Sequence, residues 1–427
     1  MKNLMTFGLL SVLFLSSCTR DECTNTQTYL RYEPVFVQPT DFRIDIEIGE
    51  PRELTSPGKI YFYNEYIFIN EPRIGFHVIN NANPTNPINE MFVEVPGNVD
   101  MAVMNDVLYL DSYTDLLAVD ISDIRNPRLI ERKEDIFNSF YHASSTGILS
   151  HYRQTDETRV VDCSDENWGS LWWRGGVLEG DGSVFIQDSK SNPVNFSSNS
   201  TGAPVQVGQG GSFARFTITH GHLYAISDTD LYAFPIQSNG ALGTLNKTHV
   251  SWSIENIFPF KDNLFIGANS GLHIMGLEDP AAPIYISEFS HANACDPVVV
   301  QDDIAFVTLR NGNECQGFVN QLDIVNVRDV RNPRLMYSFP MQHPHGLAVE
   351  GDYLYLCEGK FGLKVFNIKD LSKIGQNLVQ HKSDLHAWDA IAVSEKYLLV
   401  VGEDGFYQYD HSDPVKLHLL SVIKVQK

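Results

Sequence analysis

The chain has 427 residues, 43% hydrophobic and 11% aromatic, enough apolar material for a large core. Its formal net charge of −22 repels phosphate backbones and excludes nucleic acid as a partner class.

At the N-terminus, residues 1–17 have the form of a lipoprotein signal peptide. Lys2 supplies the positive region, and LMTFGLLSVLFL is an apolar stretch too short to span a bilayer. Leu15-Ser16-Ser17-Cys18 resembles the lipobox of bacterial lipoproteins, whose Cys becomes the lipid-bearing N-terminus. The resemblance implies that Cys18 is lipidated and anchors the protein to a membrane without spanning it. Thr19-Arg20-Asp21-Glu22 looks like the acidic surface-export signals of Bacteroidetes-type lipoproteins. The expected location is the bacterial outer membrane, exposed at the surface, with its periplasmic face as the alternative. Residues 18–56 then read as a lipidated tether ending in a closing strand. Within it Arg43-Ile44-Asp45-Ile46-Glu47-Ile48 alternates strictly, as a strand that pairs with the last repeat and closes a ring would.

From residue 57 to 427 one pattern recurs: two short hydrophobic strands, then a third closing on an Asp/Asn-rich, often Pro-containing turn. The third strand and its turn are Gly75-FHVINNANPTNP, Asp115-LLAVDISDIRNP, Glu157-TRVVDCSDEN, Asp230-LYAFPIQSNGA, Gly271-LHIMGLEDPAAP, Gln321-LDIVNVRDVRNP, Gly362-LKVFNIKDLSK and Gly405-FYQYDHSDP. Most starts lie about 40 to 43 residues apart. That period of short alternating strands predicts an all-β fold, a β-propeller of eight blades, with seven as the alternative. Two wider spacings predict insertions at about 165–210 and 310–320.

The motifs Leu117-AVDISDIRNPRLI and Leu322-DIVNVRDVRNPRLM resemble the LVIVD repeat of bacterial and archaeal surface proteins. The resemblance runs from about residue 58 to the C-terminus and is weakest in the third and fourth units. It implies an exported propeller and names no reaction or ligand.

In each unit the innermost strand lines the axis, and the residue at its start falls at one channel mouth. The repeat phase places Lys59, Asp100, Arg215, Asn256, Asp296, His345 and Asp389 there, with His142 in an uncertain register. Asp296, His345 and Asp389 are candidate ligands for a divalent cation, the only cofactor the sequence raises. His343 and His386 lie two and three residues from ring positions. Cys295 and Cys315 are a candidate disulfide whose loop of about 20 residues would be worth roughly 3 kcal/mol. Cys163 and Cys357 read as small core residues. Trp168, Trp172 and Trp173 in the first insertion are a candidate aromatic platform for sugar rings, or packing anchors.

The sequence carries no Gly-x-Ser-x-Gly, phosphate loop or His-Glu-x-x-His. The expected function is a surface binding or scaffolding propeller for a protein, glycan or envelope component. The alternative is a hydrolase or lyase with Asp296 or Asp389 as base, His345 as acid or ligand and Arg215 as anion clamp. No catalytic residue is assigned.

Overall fold

The structure, a computed structural model, describes residues 24–138, 143–144, 147–162, 207–212, 214–290, 297–310, 319–394 and 396–426. Two compact units are distinguished. In one, residues 24–35 and 151–162 belong to strands β1 (Thr24–Val37) and β12 (Gly147–Asp162), neighbours in a three-stranded sheet with β11 (Ala143–Ser144).

The other unit, residues 36–150 and 189–427, is a seven-bladed β-propeller. Blade 1 is β3–β6 (Ile60–Tyr63, Tyr66–Glu71, Gly75–Asn80, Ile88–Glu94), with β2 (Glu47–Gly49) added at its outer edge. Blade 2 is β7–β10 (Met101–Met104, Val107–Ser112, Asp115–Asp120, Arg128–Lys133). After β13 (Gln209–Gly210), blade 3 is β14–β17 (Phe216–Thr219, His222–Ile226, Asp230–Pro235, Asn246–His249). Blade 4 is β18–β21 (Ile254–Phe260, Asn263–Ala268, Gly271–Gly276, Ile284–Ser290), and blade 5 is β22–β25 (Val298–Gln301, Ile304–Leu309, Gln321–Asn326, Arg334–Pro340). Blade 6 is β26–β29 (Leu347–Glu350, Tyr353–Cys357, Leu363–Asn367, Leu378–Lys382), and blade 7 is β30–β33 (Ala387–Val393, Tyr397–Gly402, Gly405–Asp410, His418–Lys424).

The expected eight blades are therefore corrected to seven. The described part of the third repeat, residues 157–162, falls on β12, a single strand of 16 residues paired in the three-stranded sheet. Alternation alone marks any half-buried strand. A blade also needs tight turns every few residues, and this segment has none. The expected closing strand is corrected as well. Glu47–Gly49 pairs with Glu94–Phe92 of the first blade, not with the last.

Closure instead rests on packing. Ile60, Ile67, Ile69 and Ile79 of blade 1 interdigitate with Ile391, Val393, Leu399, Val401 and Phe406 of blade 7. A parallel bridge between Leu54 and Val425 and the Gln408 Nε2–Asn81 Oδ1 bond of 2.8 Å add directional contacts.

The repeat motif has a local cause. In five of the seven blades an Asp or Asn ends the third strand and accepts a hydrogen bond from the amide two residues on, as in Asp120–Ser122 (2.9 Å), Asn326–Arg328 (3.0 Å) and Asp410–Ser412 (2.9 Å). A second such turn follows at Asp123–Arg125 and Asp329–Arg331. These Asx turns reverse the chain into the outer strand. Third strands of some blades open on glycine because the outer strand lies too close for a side chain. At Gly75 and Gly362, both at positive φ, a Cβ would collide with the carbonyls of Val93 and Lys382.

Residues 36–50 are tied down on blades 1 and 2. Asp115 is fully buried and receives Arg43 through Nε at 2.9 Å and Nη2 at 3.0 Å, with Arg132 at 3.3 Å. Arg43 also reaches Glu134 and Asp135 at 2.7 and 2.8 Å. Arg132 stays on Asp115 when Arg43 is lost, so Arg43→Ala is expected to cost about 2 kcal/mol in urea unfolding, as for a hydrogen bond to a charged group. A loss below about 0.5 kcal/mol would mean that the clamp is a surface ornament.

Candidate functional site

The axis of the ring is occupied. Residues 207–212 and Ala214 lie along it, from Val207 bridged to Met104 at one end to Ala214 at the other. On the way β13 pairs with Tyr61 and Phe62, and the Gly208 amide bonds to Val103 O at 2.9 Å. The Gln209 side chain donates to Ala392 O at 2.9 Å, Ser212 Oγ accepts from the Leu347 amide at 3.1 Å, and Ala214 O accepts from the Ile257 amide at 3.0 Å. Five blades thus hold this segment by their innermost strands. Gly208 and Gly210 lie against the ring of Tyr61, where a side chain would not fit.

The segment delivers Arg215 to the mouth, where part of the predicted ring meets. Lys59 Nζ lies 2.7 Å from Asp100 Oδ2, both side chains being less than 10% exposed. The same oxygen accepts the Arg215 amide at 2.5 Å, and Asp100 Oδ1 accepts the Met101 amide at 2.7 Å. Burial pulls the Lys59 amine below its ordinary value despite the neighbouring Asp100. Asp389 is fully buried, and neither of its carboxylate oxygens has a hydrogen-bond partner. Burial holds its carboxyl well above the usual range, outweighing the pull of the Lys59 charge. Asn256 is fully buried near the start of β18.

Neighbours that the repeat phase does not flag complete this cluster. Asp111, at the mouth end of β8, accepts the Val99 amide (2.7 Å), the Asp100 amide (3.0 Å) and Asn98 Nδ2 (3.0 Å). Burial pushes it up to about 6, against the pull of those amides and of Arg215. The signal was present in the sequence, since Val107-LYLD puts an acid where the other second strands carry Asn70, Ile226, Gly267, Thr308, Cys357 and Val401.

His345 belongs to a second cluster on blades 5 to 7. Its Nε2 lies 3.0 Å from His343 Nδ1, and its backbone is pinned by the Cys357 carbonyl and Thr308 Oγ1. His386 packs edge-on to Trp388, with ring centroids 5.5 Å apart. Arg310 and Lys360, which sequence reasoning passed over, complete this cluster. Glu358 is fully buried, accepts the Gln342 amide at 2.7 Å and pairs with Lys364. Cys357 is buried in the core, as expected of a small apolar residue.

Among the described residues no three of His, Cys, Asp and Glu gather to hold a metal ion. Of the candidate ligands, Asp296 lies outside the described residues. So do Cys18, Cys163, Cys295, Cys315, His142 and the three tryptophans Trp168, Trp172 and Trp173.

The fold and the filled axis define a seven-bladed β-propeller. No family model matches the chain, and no curated protein matches it in sequence. Solved structures resemble it in shape. A protein from Lactobacillus plantarum is 12% identical, with 86% of this chain and 97% of that chain covered and a TM-score of 0.50. The computationally designed Ika8 protein is 8% identical (87% and 88% covered, TM-score 0.47), and BamB from Moraxella catarrhalis is 7% identical (89% and 96% covered, TM-score 0.46). Such likeness speaks to the fold alone.

Proposed function

We propose that the chain is a lipid-anchored envelope protein of the LVIVD-repeat kind, lipidated at Cys18 and tethered through residues 18–56. Its propeller binds or scaffolds a protein or glycan ligand with the channel-mouth face. The observation that carries this reading is the filled axis. With residues 207–212 and Ala214 bonded to the innermost strands of five blades, a ligand meets the mouth as a surface and not as a conduit.

The hydrolase or lyase alternative draws less support from the same residues. Asp100 is saturated by three donors, and Asp389 is sealed from solvent. Neither is placed to exchange a proton with a substrate. A divalent cation remains tied to Asp296 with His345 and Asp389, and elemental analysis of the purified protein tests it.

Blocking one face tests the binding reading. Lys360, in the loop between β27 and β28, and Lys396, between β30 and β31, are exposed at opposite ends of the antiparallel strands. Each is replaced by Cys and capped with a bulky maleimide, and binding is read on a glycan array and by crosslinking to envelope proteins. Capping Lys360→Cys is expected to abolish binding, and capping Lys396→Cys to leave it intact. The reverse pattern would remove the mouth from recognition. Metabolic labelling with a fatty acid, lost in Cys18→Ala, tests the anchor.

A further inference from the structure

We propose that Arg310, His343, His345, Lys360 and His386 form an oxyanion site that takes a carboxylate or phosphate group of the ligand. The proposal rests on the mouth-face reading above and names the chemistry recognised there.

Three adjacent blades bring these residues to the same end of the ring. Arg310 follows β23 of blade 5. His343 and His345 lead into β26 of blade 6, Lys360 sits in the next loop of that blade, and His386 precedes β30 of blade 7. On one side the main chain comes close to the histidine pair. Gly359, at φ +55°, faces them with no side chain, and a Cβ there would come within 2.8 Å of His345 Nε2 and 3.4 Å of His343 Nδ1.

The polar groups are incompletely matched within the protein. His345 is 5% exposed, and while its Nε2 meets His343, its Nδ1 is buried with no hydrogen-bond partner. His386 Nδ1 is likewise buried and unbonded. Buried polar atoms are rarely left so, because each forfeits its bond to water. The half-buried guanidinium of Arg310 has no hydrogen-bond or ion-pair partner among the described residues. Lys360 is exposed, its Nζ 5.3 Å over the ring of Phe361, while the nearby Glu358 is already taken by Lys364.

Charge then selects the ligand. Arg310 and Lys360 both bear on the imidazoles, and a cation would have to displace that repulsion. The opposing acids are Glu255 toward Arg310, Glu358 toward His343, and Glu403 and Asp404 toward His386. Glu403 lies 3.7 Å from His386 Nε2. Burial, with the charge of Arg310 behind it, holds His343 and His345 below the usual imidazole range. Because His345 Nε2 and His343 Nδ1 share one hydrogen, a neutral pair presents one N–H to a ligand. A guanidinium, an ammonium and neutral imidazole donors suit an oxyanion.

The test titrates inorganic phosphate and, separately, acetate into the full chain at pH 7, with the histidine ring resonances as readout. At least one anion is expected to move the His343 and His345 signals saturably. Arg310→Gln is expected to weaken that binding by at least about tenfold, the cost of one charge-assisted contact. Arg310→Lys, which keeps the charge and guards against a folding defect, should fall between. Lys396→Gln on the opposite face should change nothing. No saturable shift with either anion, or equal affinity in Arg310→Gln, overturns the proposal. The response to phosphate against acetate tells which oxyanion the site prefers. This outcome is independent of face blocking, so the anion site can fail while mouth-face recognition stands, and the reverse.

Discussion

Lys59→Met is expected to lower the unfolding free energy by about 3 to 5 kcal/mol, the cost of stripping one partner from a buried ion pair. Lys59 and Asp100 meet at 2.7 Å with almost no solvent contact. Without the amine, Asp100 keeps only the Met101 and Arg215 amides, and its charge is left unpaired in a site closed to water. Met preserves the aliphatic stem, so packing loss is small and the electrostatic loss dominates. The double variant Lys59→Met/Asp100→Asn should recover most of the deficit, because no isolated charge remains. Urea midpoints of the two single variants and the double variant decide it. If the double variant is as unstable as Lys59→Met alone, the loss is one of shape and the ion pair is not its cause.

Asp389→Asn should act in the opposite sense and with a pH signature. In the unfolded chain this carboxyl ionises near pH 4. In the fold, burial keeps its proton on to a much higher pH. Stability from the protonated acid is therefore complete below about pH 4 and drains away as pH rises toward the folded value, by up to about 1.4 kcal/mol per unit. The amide has no proton to lose. The variant should match the wild type in mild acid and exceed it increasingly at neutral and alkaline pH. Other groups titrate too. Asp111 is pushed up to about 6, whereas Glu71 is held down at about 2 because bonds from His77, Thr55 and Ser56 overcome its burial. Both are present in wild type and variant alike and cancel in the difference. Parallel curves of wild type and variant against pH would show that Asp389 ionises normally.

Fold and site were legible to different depths, for physical reasons. The repeat motif is written in turn chemistry. Asp120, Asn326 and Asp410 must be Asp or Asn because their side chains bond the amide two residues on, and a reader of sequence sees that directly. The same bond explains why the motif says nothing about ligands, since its polar residues are spent on backbone. Register was legible too. Phase alone set Lys59 beside Asp100 and near Asp389, because side chains at equal positions of neighbouring blades converge on one axis. Blade number was not legible. Glu157-TRVVD has the alternation of a third strand, and only pairing partners reveal that it lies in one long strand of another sheet. The filled axis was hidden for a related reason. Residues 207–212, VGQGGS, are mostly small, and the stretch reads as the end of an insertion. Smallness is what lets them lie against Tyr61. Arg310 and Lys360 sit in loops of unequal length, where repeat phase carries no information.

The axial segment also bears on how the molecule is built. It follows blade 2 in the chain and precedes blade 3, so ribosomal order supplies it before five of the seven blades exist. Those blades can be raised around it like staves around a post, and no finished barrel ever has to be breached to let the post in.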